Sequence, residues 1–436
     1  MSQLLLPTTG HSGLQGPRTA NRLPRLLPVQ EGNGSLGLVE HLFRHGPLPR
    51  VGRSVSQRAA AVEEVARAGL VGRGGAGFPT ARKLAAVMAA RGRPLVVVNG
   101  TEGEPASAKD KVLLTRAPHL VLDGAALAAA VVGAAEAVVV CNYAVRAVVA
   151  GAVAERRRAG TDDVRFRVVT AADRFVAGEA SAAVNWIERG TPLPTRTPPR
   201  LAERGVSGRP TLVQNVETLA HLALVMRHGA AWYRKTGTEE EPGTTLVTLL
   251  GALQRSGVHE IELGTPIVEV LRLAGGPSAP LQALLIGGYF GTWVAADAAM
   301  TLPFSTAALA PLGASVGAGT IAALPADACG LVETARVARY LAGESAGQCG
   351  PCVFGLPAIA AALERLAVGA DFHPEQLRRW LGQVDGRGAC RHPDGVVRLV
   401  DSALRTFTAE ISEHARGWCC GTGGRLVLPI PGRSRT

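Results

Sequence analysis

The residues with the clearest chemical signature are three cysteines, Cys349, Cys352 and Cys390. Cys349-Gly-Pro-Cys352 is a Cys-x-x-Cys element, a spacing shared by zinc sites, iron–sulfur sites and dithiol redox pairs. A redox pair of the thioredoxin kind belongs at the strand-to-helix turn of a βαβ unit, whereas this pair opens a helix among helices. A zinc knuckle calls for two ligand pairs, and only one is present. Three thiols split between a helix start and an inter-helix loop suit an iron–sulfur cube, with zinc and plain free thiols left open by spacing alone. The chain has seven cysteines, unevenly spaced, which argues against a disulfide framework. Cys141 falls in an apolar strand and reads as core; Cys419 and Cys420, adjacent near the carboxyl terminus, are inert or supply a spare ligand.

A second constellation lies at 69–83. Gly69-Leu-Val-Gly72-Arg73-Gly74-Gly75-Ala76-Gly77 is followed by Phe-Pro-Thr-Ala-Arg-Lys83. Glycines allow positive φ and bring backbone N–H groups close to an anion. A helix starting near Thr80 directs the positive end of its dipole to the same place. Lys83 offers a point charge to a phosphate, and it is one of only four lysines among 46 basic residues. The spacing matches neither GxGxxG nor a Walker loop, so a purely structural glycine turn remains the competing interpretation. The third constellation, Asn99-Gly-Thr-Glu102-Gly-Glu104-Pro, comes after an apolar strand. The carboxyl end of a strand is where open α/β sheets bind ligands. Asn99 suits a heterocycle edge, and Glu102 and Glu104 suit sugar hydroxyls or an amide; taken alone, such a turn is more often a solvated loop.

These residues must be positioned by a sheet and by helices. Helix 57–68, strand 95–98, helix 120–133, strand 137–141, helix 144–158 and strand 164–170 alternate, with apolar strands continuous enough for a largely parallel sheet. A proline-rich loop spans 192–210, and a helix resumes at 216–228. Short β runs around one helix over 244–290 indicate a small α+β module. Four helices, 331–342, 353–367, 374–383 and 396–414, indicate a compact bundle.

Composition sets the outer limits. Hydrophobic residues make up 47% and charged residues 19%, a folded globular composition. The formal charge of +11 is almost all arginine, without a basic stripe interleaved with aromatics, so nucleic-acid binding is not expected. The membrane-like stretch 124–141 carries Glu136 and is mostly alanine; helix followed by buried strand explains it, and no transmembrane helix is expected. Prolines in the first thirty residues argue against an amphipathic transit peptide.

Six ordered motifs then carry a resemblance. GRGGAGFPT (72–80), VVNGTEGEP (97–105), GEA (178–180), PTLVQNVETLA (210–220), GAGTIAALP (317–325) and ESAGQCGPC (344–352) resemble the NADH-binding flavoprotein subunit of respiratory complex I and its relatives in NAD-reducing hydrogenases and formate dehydrogenases. The resemblance covers roughly 60–410 and implies an α/β FMN-binding domain with a largely parallel sheet, a small ubiquitin-like β-grasp (SLBB) module, and a C-terminal four-helix iron–sulfur-binding bundle. The implied boundaries are an N-terminal arm, partly flexible, at 1–55, then domains at 56–240, 241–325 and 326–416, and a tail at 417–436. Carried over by position, Gly72, Arg73, Gly74, Gly75, Ala76 and Gly77 form the FMN/NADH loop, and Lys83 holds the FMN phosphate. Asn99, Glu102 and Glu104 face flavin and nucleotide; Gly178 and Glu179 with Gln214, Asn215 and Thr218 complete the flavin site. Glu104 and Glu179 are the implied catalytic pair, and Cys349, Cys352 and Cys390 the implied iron ligands.

The implied activity is oxidation of NADH or NADPH, with electrons passing through FMN to a [4Fe–4S] or [3Fe–4S] cluster. They continue to an iron–sulfur or ferredoxin-like partner subunit in a hetero-oligomer, cytoplasmic and peripheral to the inner face of the cell membrane. The alternatives are an FMN/iron–sulfur relay fed by a ferredoxin-type donor, and a non-catalytic assembly subunit. The chain departs from the family pattern at Ala346, where the first cysteine of a Cys-x-x-Cys-x-x-Cys is expected, which leaves the fourth ligand to Cys329, Cys419, Cys420, His392, Asp394 or no side chain. Ala180, Thr101, Ala86, Thr197 and Arg200 depart on the nucleotide side. With aromatic contacts worth about 1 kcal/mol or more each, two lost aromatics and one lost lysine weaken NADH by about 100-fold; Arg200 offers a phosphate contact instead, as for NADPH.

Overall fold

The computed structural model describes residues 23–28, 34–370, 373–417 and 426–431. Its amino-proximal layer is built on four parallel strands, β1 (Leu95–Gly100), β2 (Glu136–Cys141), β3 (Arg165–Thr170) and β4 (Thr211–Asn215), in the order β3-β2-β1-β4. The Leu-Val-Val-Val run of β1 is buried throughout, as a strand covered on both faces requires. From β1 the chain winds outward through β2 to β3, then returns to the far side of β1 as β4. The winding direction therefore reverses between β1 and β4, the switch point at which open sheets hold ligands. Asn99 and Asn215 are register partners at that carboxyl edge.

Among the described residues eight helices of two turns or more support this layer: α1 (Leu38–His45), α2 (Val55–Ala68), α3 (Thr80–Ala89), α4 (Lys109–Arg116), α5 (Pro118–Val132), α6 (Tyr143–Ala159), α7 (Ala180–Arg189) and α8 (Val216–His228). Helix α2 starts at a Ser54/Gln57 capping box and stops at left-handed Gly69, which delivers the chain into the glycine loop. Helix α5 is buried almost all round and lies against α8. Gly124 makes that approach possible, since a Cβ there would meet the Leu219 carbonyl oxygen at 1.8 Å. Stretch 124–141 is thus core helix and core strand, and among the described residues no single helix is long and apolar enough to cross a membrane.

Three expectations change. Helices α4 and α7 and strand β4 join the elements that periodicity indicated. The arm at 1–55 is docked where it is described: Leu26 and Leu27 are buried, the Leu26 N–H donates to Glu260 at 2.8 Å, and His41 of α1 meets Asp123 at 2.7 Å. The expected single helix 396–414 is two, His392–Thr406 and Thr408–His414, separated at Phe407, whose buried ring packs edge-on against Trp293.

The second module is a mixed five-stranded sheet, β5 (Thr244–Gly251), β6 (Gly257–Glu262), β7 (Leu281–Ile286), β8 (Thr292–Ala295) and β9 (Thr320–Pro325), in the order β6-β5-β9-β7-β8. Helix Ile267–Leu273 covers one face and the carboxyl-terminal bundle the other. The bundle comprises helices Gly330–Gly343, Leu356–Ala367, Pro374–Val384, His392–Thr406 and Thr408–His414, five where four were expected.

Candidate functional site

The glycine loop hangs on backbone bonds at its base. Gly72 N–H donates to the Phe78 carbonyl at 2.9 Å and Thr80 N–H to the Leu70 carbonyl at 2.9 Å. Between these pins residues 74–79 are exposed, with Gly75 and Gly77 at φ +102° and +60°. Arg73 is turned inward. Its N–H donates to Thr218 Oγ1 at 2.9 Å, and its guanidinium reaches the Tyr233 hydroxyl at 3.1 Å and the Pro242 carbonyl at 3.3 Å. Arg73 and Thr218 therefore fix the loop rather than offer themselves to a ligand. A Cβ on Gly74 would lie 3.3 Å from Asn215 Cβ, so the loop closes down on the end of β4.

Lys83 stands one turn into α3. Its ammonium donates to the Val213 carbonyl at 3.3 Å, no carboxylate among the described residues lies within ion-pair reach, and burial pushes its pKa down. A half-buried cation at a sheet edge with only a carbonyl for a partner suits an anionic group that arrives with a ligand. Next to it on β4, the buried Gln214 amide leaves Nε2 without an acceptor, and Thr101 Oγ1 is likewise orphaned. Asn99 and Asn215 are already occupied: Asn99 donates to the Gly178 carbonyl at 2.9 Å and accepts from Thr101 N–H, while Asn215 donates to Asp110 at 2.6 Å and caps α8 through Glu217 N–H.

The acidic residues have local roles that sequence alone did not indicate. Glu102 caps α4, its carboxylate accepting from Ser107 Oγ at 2.5 Å and from the N–H groups of Asp110 and Lys111 at 3.1 Å. Glu104 accepts from Ala106 N–H at 3.2 Å and from Tyr289 N–H at 2.9 Å, and so joins the sheet edge to the second module. Burial pushes its carboxyl up to about 7 against the two backbone donors. Glu179 caps α7 through the N–H groups of Ser181 and Ala182. None of the three presents a carboxylate free of protein partners.

Cys349 and Cys352 flank the start of a π-helical turn, Pro351–Gly355, a distortion found often at functional sites. Gly355 brings this turn against helix Pro374–Val384, for a Cβ there would meet Val384 Cγ2 at 2.4 Å. The loop after that helix carries Cys390 to the same place: the Ala389 N–H and the Cys352 thiol lie near enough to the Cys349 sulfur to lower its pKa against burial. Burial, then the neighbouring Cys349, pushes Cys352 up to about 12; burial likewise raises Cys390. Among the described residues no three histidine, cysteine or acidic side chains converge at the distances of a single bound ion. A cubane makes no such demand, because each thiolate holds its own iron.

The two sites are tied together. Phe175 N–H donates to Glu344 at 2.9 Å, and Arg174 reaches Glu344 at 3.3 Å and the Ser345 carbonyl at 3.1 Å, so the loop leading to Gly178 and Glu179 is fastened to the cysteine loop. Phe175, Phe290 and His392 form an aromatic knot with centroids 4.8–5.7 Å apart, and the Glu179 carboxylate lies close enough to hold Cys390's pKa up. A cleft of about 1180 Å³ opens alongside, between the α/β layer and the bundle, lined in part by Glu104, Arg174, Arg336 and Tyr340 but not by Lys83 or the glycine loop.

Comparison with known proteins bears directly on this pairing of sites. The family description "Nuo51 FMN-binding domain" matches residues 65–224, and "NADH-ubiquinone oxidoreductase-F iron-sulfur binding region" matches 333–414. The chain is 30% identical over 374 residues to the second F subunit of NADH-quinone oxidoreductase from Rhizobium meliloti (strain 1021), covering 81% of this chain and 88% of that one. It is 32% identical to the NADH-quinone oxidoreductase F subunit of Salmonella typhimurium (strain LT2), covering 80% and 83%. The chain belongs to the family of NADH-quinone oxidoreductase F subunits. Its backbone also superimposes on an NAD+-reducing [NiFe]-hydrogenase in the air-oxidized state with a TM-score of 0.76 at 30% identity, covering 83% of this chain and 63% of that one.

As a member of this family the chain is an oxidoreductase subunit with an FMN-binding domain and a [4Fe–4S]-binding region. The residues present fit both groups: an ammonium with only a carbonyl for a partner and an orphaned amide at the switch point for the flavin, and three neighbouring thiols for the cluster. Two residues of interest were not singled out by sequence. Phe78, 45% exposed at the edge of the glycine loop, is an aromatic face available for stacking. Ser345 lies near enough to the Cys352 thiol to oppose the rise in its pKa. Both lie inside the quoted motifs, but only the fold shows which way they face. Cys419 and Cys420 lie outside the described residues.

Proposed function

We propose that this chain oxidises NADH or NADPH and delivers single electrons, through FMN and the cluster at Cys349, Cys352 and Cys390, to an iron–sulfur or ferredoxin-like partner subunit of a hetero-oligomer. The observation that supports this reading is the fastening of the Arg174–Glu179 loop to the cysteine loop, by which a flavin held at the switch point would lie beside the proposed cluster ligands. Bound FMN supplies the conversion of a two-electron donor into one-electron steps. For its part, the protein binds and orients. Lys83 neutralises the phosphate, Gln214 Nε2 donates to the ring system, and the N–H groups of Gly74–Gly77 receive the anionic end. Glu102, Glu104 and Glu179 act as caps and joints that hold the rim, and Phe78 stacks on the nucleotide. We further assign the β5–β9 sheet as a ubiquitin-like SLBB module at 241–325, the layer before it as the FMN/NADH domain at 56–240 and the bundle as the iron–sulfur domain at 326–416. The proposed location is the cytoplasm, peripheral to the membrane through partner subunits.

The test is anaerobic purification and then titration with NADH and NADPH, read by visible spectroscopy. Bleaching of the flavin and cluster bands by one nucleotide is expected. Bands that ignore both nucleotides but respond to reduced ferredoxin would overturn nucleotide use in favour of a relay. That second reading is favoured by exposed Thr197 and Arg200 at the nucleotide rim, where the family pattern has a lysine and an aromatic.

A further inference from the structure

Iron–sulfur binding over 333–414 implies a cubane of four irons, each needing a ligand. Five cysteines lie among the described residues, Cys419 and Cys420 lying outside them, and two of the five are elsewhere in the fold. Cys141 ends β2 inside the amino-proximal core. Cys329 caps the amino end of helix Gly330–Gly343, whereas the cysteine loop leaves from the carboxyl end. At 1.5 Å per residue, that helix separates them by about 20 Å. The Cys329 sulfur lies instead 3.5 Å from Glu410 and 3.6 Å from His414.

Of the two nearby non-thiol candidates, Asp394 is engaged and His392 is engaged through one ring nitrogen. Asp394 accepts from Gly386 N–H at 3.0 Å and from Arg391 at 2.8 Å. The His392 ring sits edge-on to Phe175 and Phe290 with Nε2 on the Leu341 carbonyl at 2.8 Å. Its Nδ1 has no partner among the described residues, which makes a His392 variant a necessary control. In the loop itself Ala346 is partly exposed, and Gly347 and Gln348 are exposed, so the edge next to Cys349 opens to solvent.

We infer that this cluster is held by three protein thiolates, and that its fourth iron, at the edge formed by Ala346 and Gly347, takes an exchangeable water, hydroxide or small thiol from solvent. This rests on the proposed iron–sulfur function and deepens it. An iron without a thiolate is the first to leave on oxidation. A one-electron acceptor such as ferricyanide takes one electron from [4Fe–4S]2+, which releases one Fe2+ and leaves [3Fe–4S]+; no sulfide and no thiolate is lost.

The experiment uses the full chain reconstituted anaerobically with iron and sulfide, in the wild type, Ala346→Cys, His392→Gln and the double variant Cys419→Ser/Cys420→Ser. Iron per protein and the low-temperature EPR spectrum are measured before and after ferricyanide. The wild type, His392→Gln and the double serine variant are expected to lose about a quarter of their iron and develop a three-iron signal. Ala346→Cys is expected to keep its iron. The inference is overturned if the wild type holds its iron as firmly as Ala346→Cys, and more specifically if His392→Gln or the serine variant alone releases it, since a side chain would then be the fourth ligand. A wild type that binds no iron at all would instead bring down the iron–sulfur reading itself.

Discussion

Two of the four lysines occupy opposite situations less than a domain apart. Lys109 is buried at the start of α4, 2.8 Å from both Asp110 and Glu217. Burial pushes its pKa down, but the two carboxylates outweigh that and hold it above the ordinary value. Glu217 is held well below the usual carboxylate range: burial opposes this, while Lys109, His221 and Arg73 outweigh it. Glu217 also accepts from Thr245 Oγ1 at 3.0 Å and Leu246 N–H at 2.9 Å, so the cluster fastens the α/β layer to β5. Lys83, in contrast, is lowered by burial with no carboxylate to compensate. A lysine whose charge the protein itself balances is architecture. A lysine whose charge no carboxylate among the described residues balances is open to a bound anion, the role proposed for Lys83.

Substitution at the two positions separates these roles. Lys109→Met should have the largest effect, because it leaves Glu217 and Asp110 buried without their counter-charge. The expected loss is about 3–5 kcal/mol, read as a fall of about 4 °C in the melting temperature of the flavin-free protein. A change within about 1 °C would show that the contrast with Lys83 is wrong.

Glu104 comes next. Its carboxyl lies near 7 in the folded chain against an ordinary 4.5, so the folded state prefers it protonated. The stabilisation is fully present below pH 4.5 and is lost as pH rises through 7, about 3 kcal/mol across the window. Glu104→Gln keeps an acceptor for Tyr289 N–H and removes the titration. Denaturation curves of the variant relative to the wild type should gain stability between pH 4.5 and 7; parallel curves would refute burial as the cause.

How far the sequence reached is clearest at the residues that separate these roles. Strands β1 and β2 were legible because a strand covered on both faces must be apolar throughout. Strand β4 was not: its Thr-Leu-Val-Gln-Asn emerges from a proline-rich loop and ends in two polar residues. Helices α4 and α7 were hidden for a related reason, since their starts are set by Glu102 and Glu179, and a carboxylate before a helix looks the same in sequence whether it caps or binds. The iron–sulfur region was legible because residue types that ligate iron are few, and Ala346 stood out in it as a departure from the family pattern. Lys83 stood out through rarity, but so would Lys109. Only the distances to Asp110 and Glu217 tell them apart.

Lys83→Ala should leave the flavin-free protein nearly as stable as before, because among the described residues it strands no carboxylate and loses only the contact to the Val213 carbonyl. It should weaken FMN by about 2 kcal/mol, about 30-fold in Kd, for one charge-assisted contact to a phosphate. Flavin content after dialysis checks this, and unchanged content would remove Lys83 from the site.

The smallest expected effect concerns the outer rim. Phe78 keeps 45% of its surface exposed beside a loop whose backbone is otherwise committed at its base. An exposed aromatic gains little from the protein and can gain from a nucleobase or nicotinamide face, at about 1 kcal/mol per stack. Phe78→Ala should therefore raise the nucleotide Kd about 5-fold while leaving flavin content and melting temperature alone, and Phe78→Trp should restore binding. Stopped-flow flavin reduction over a range of NADH and NADPH concentrations measures it. Unchanged affinity would move the nucleotide away from this rim, toward the neighbouring cleft lined by Arg174 and Tyr340, where Arg174→Ala would then be the variant that loses binding.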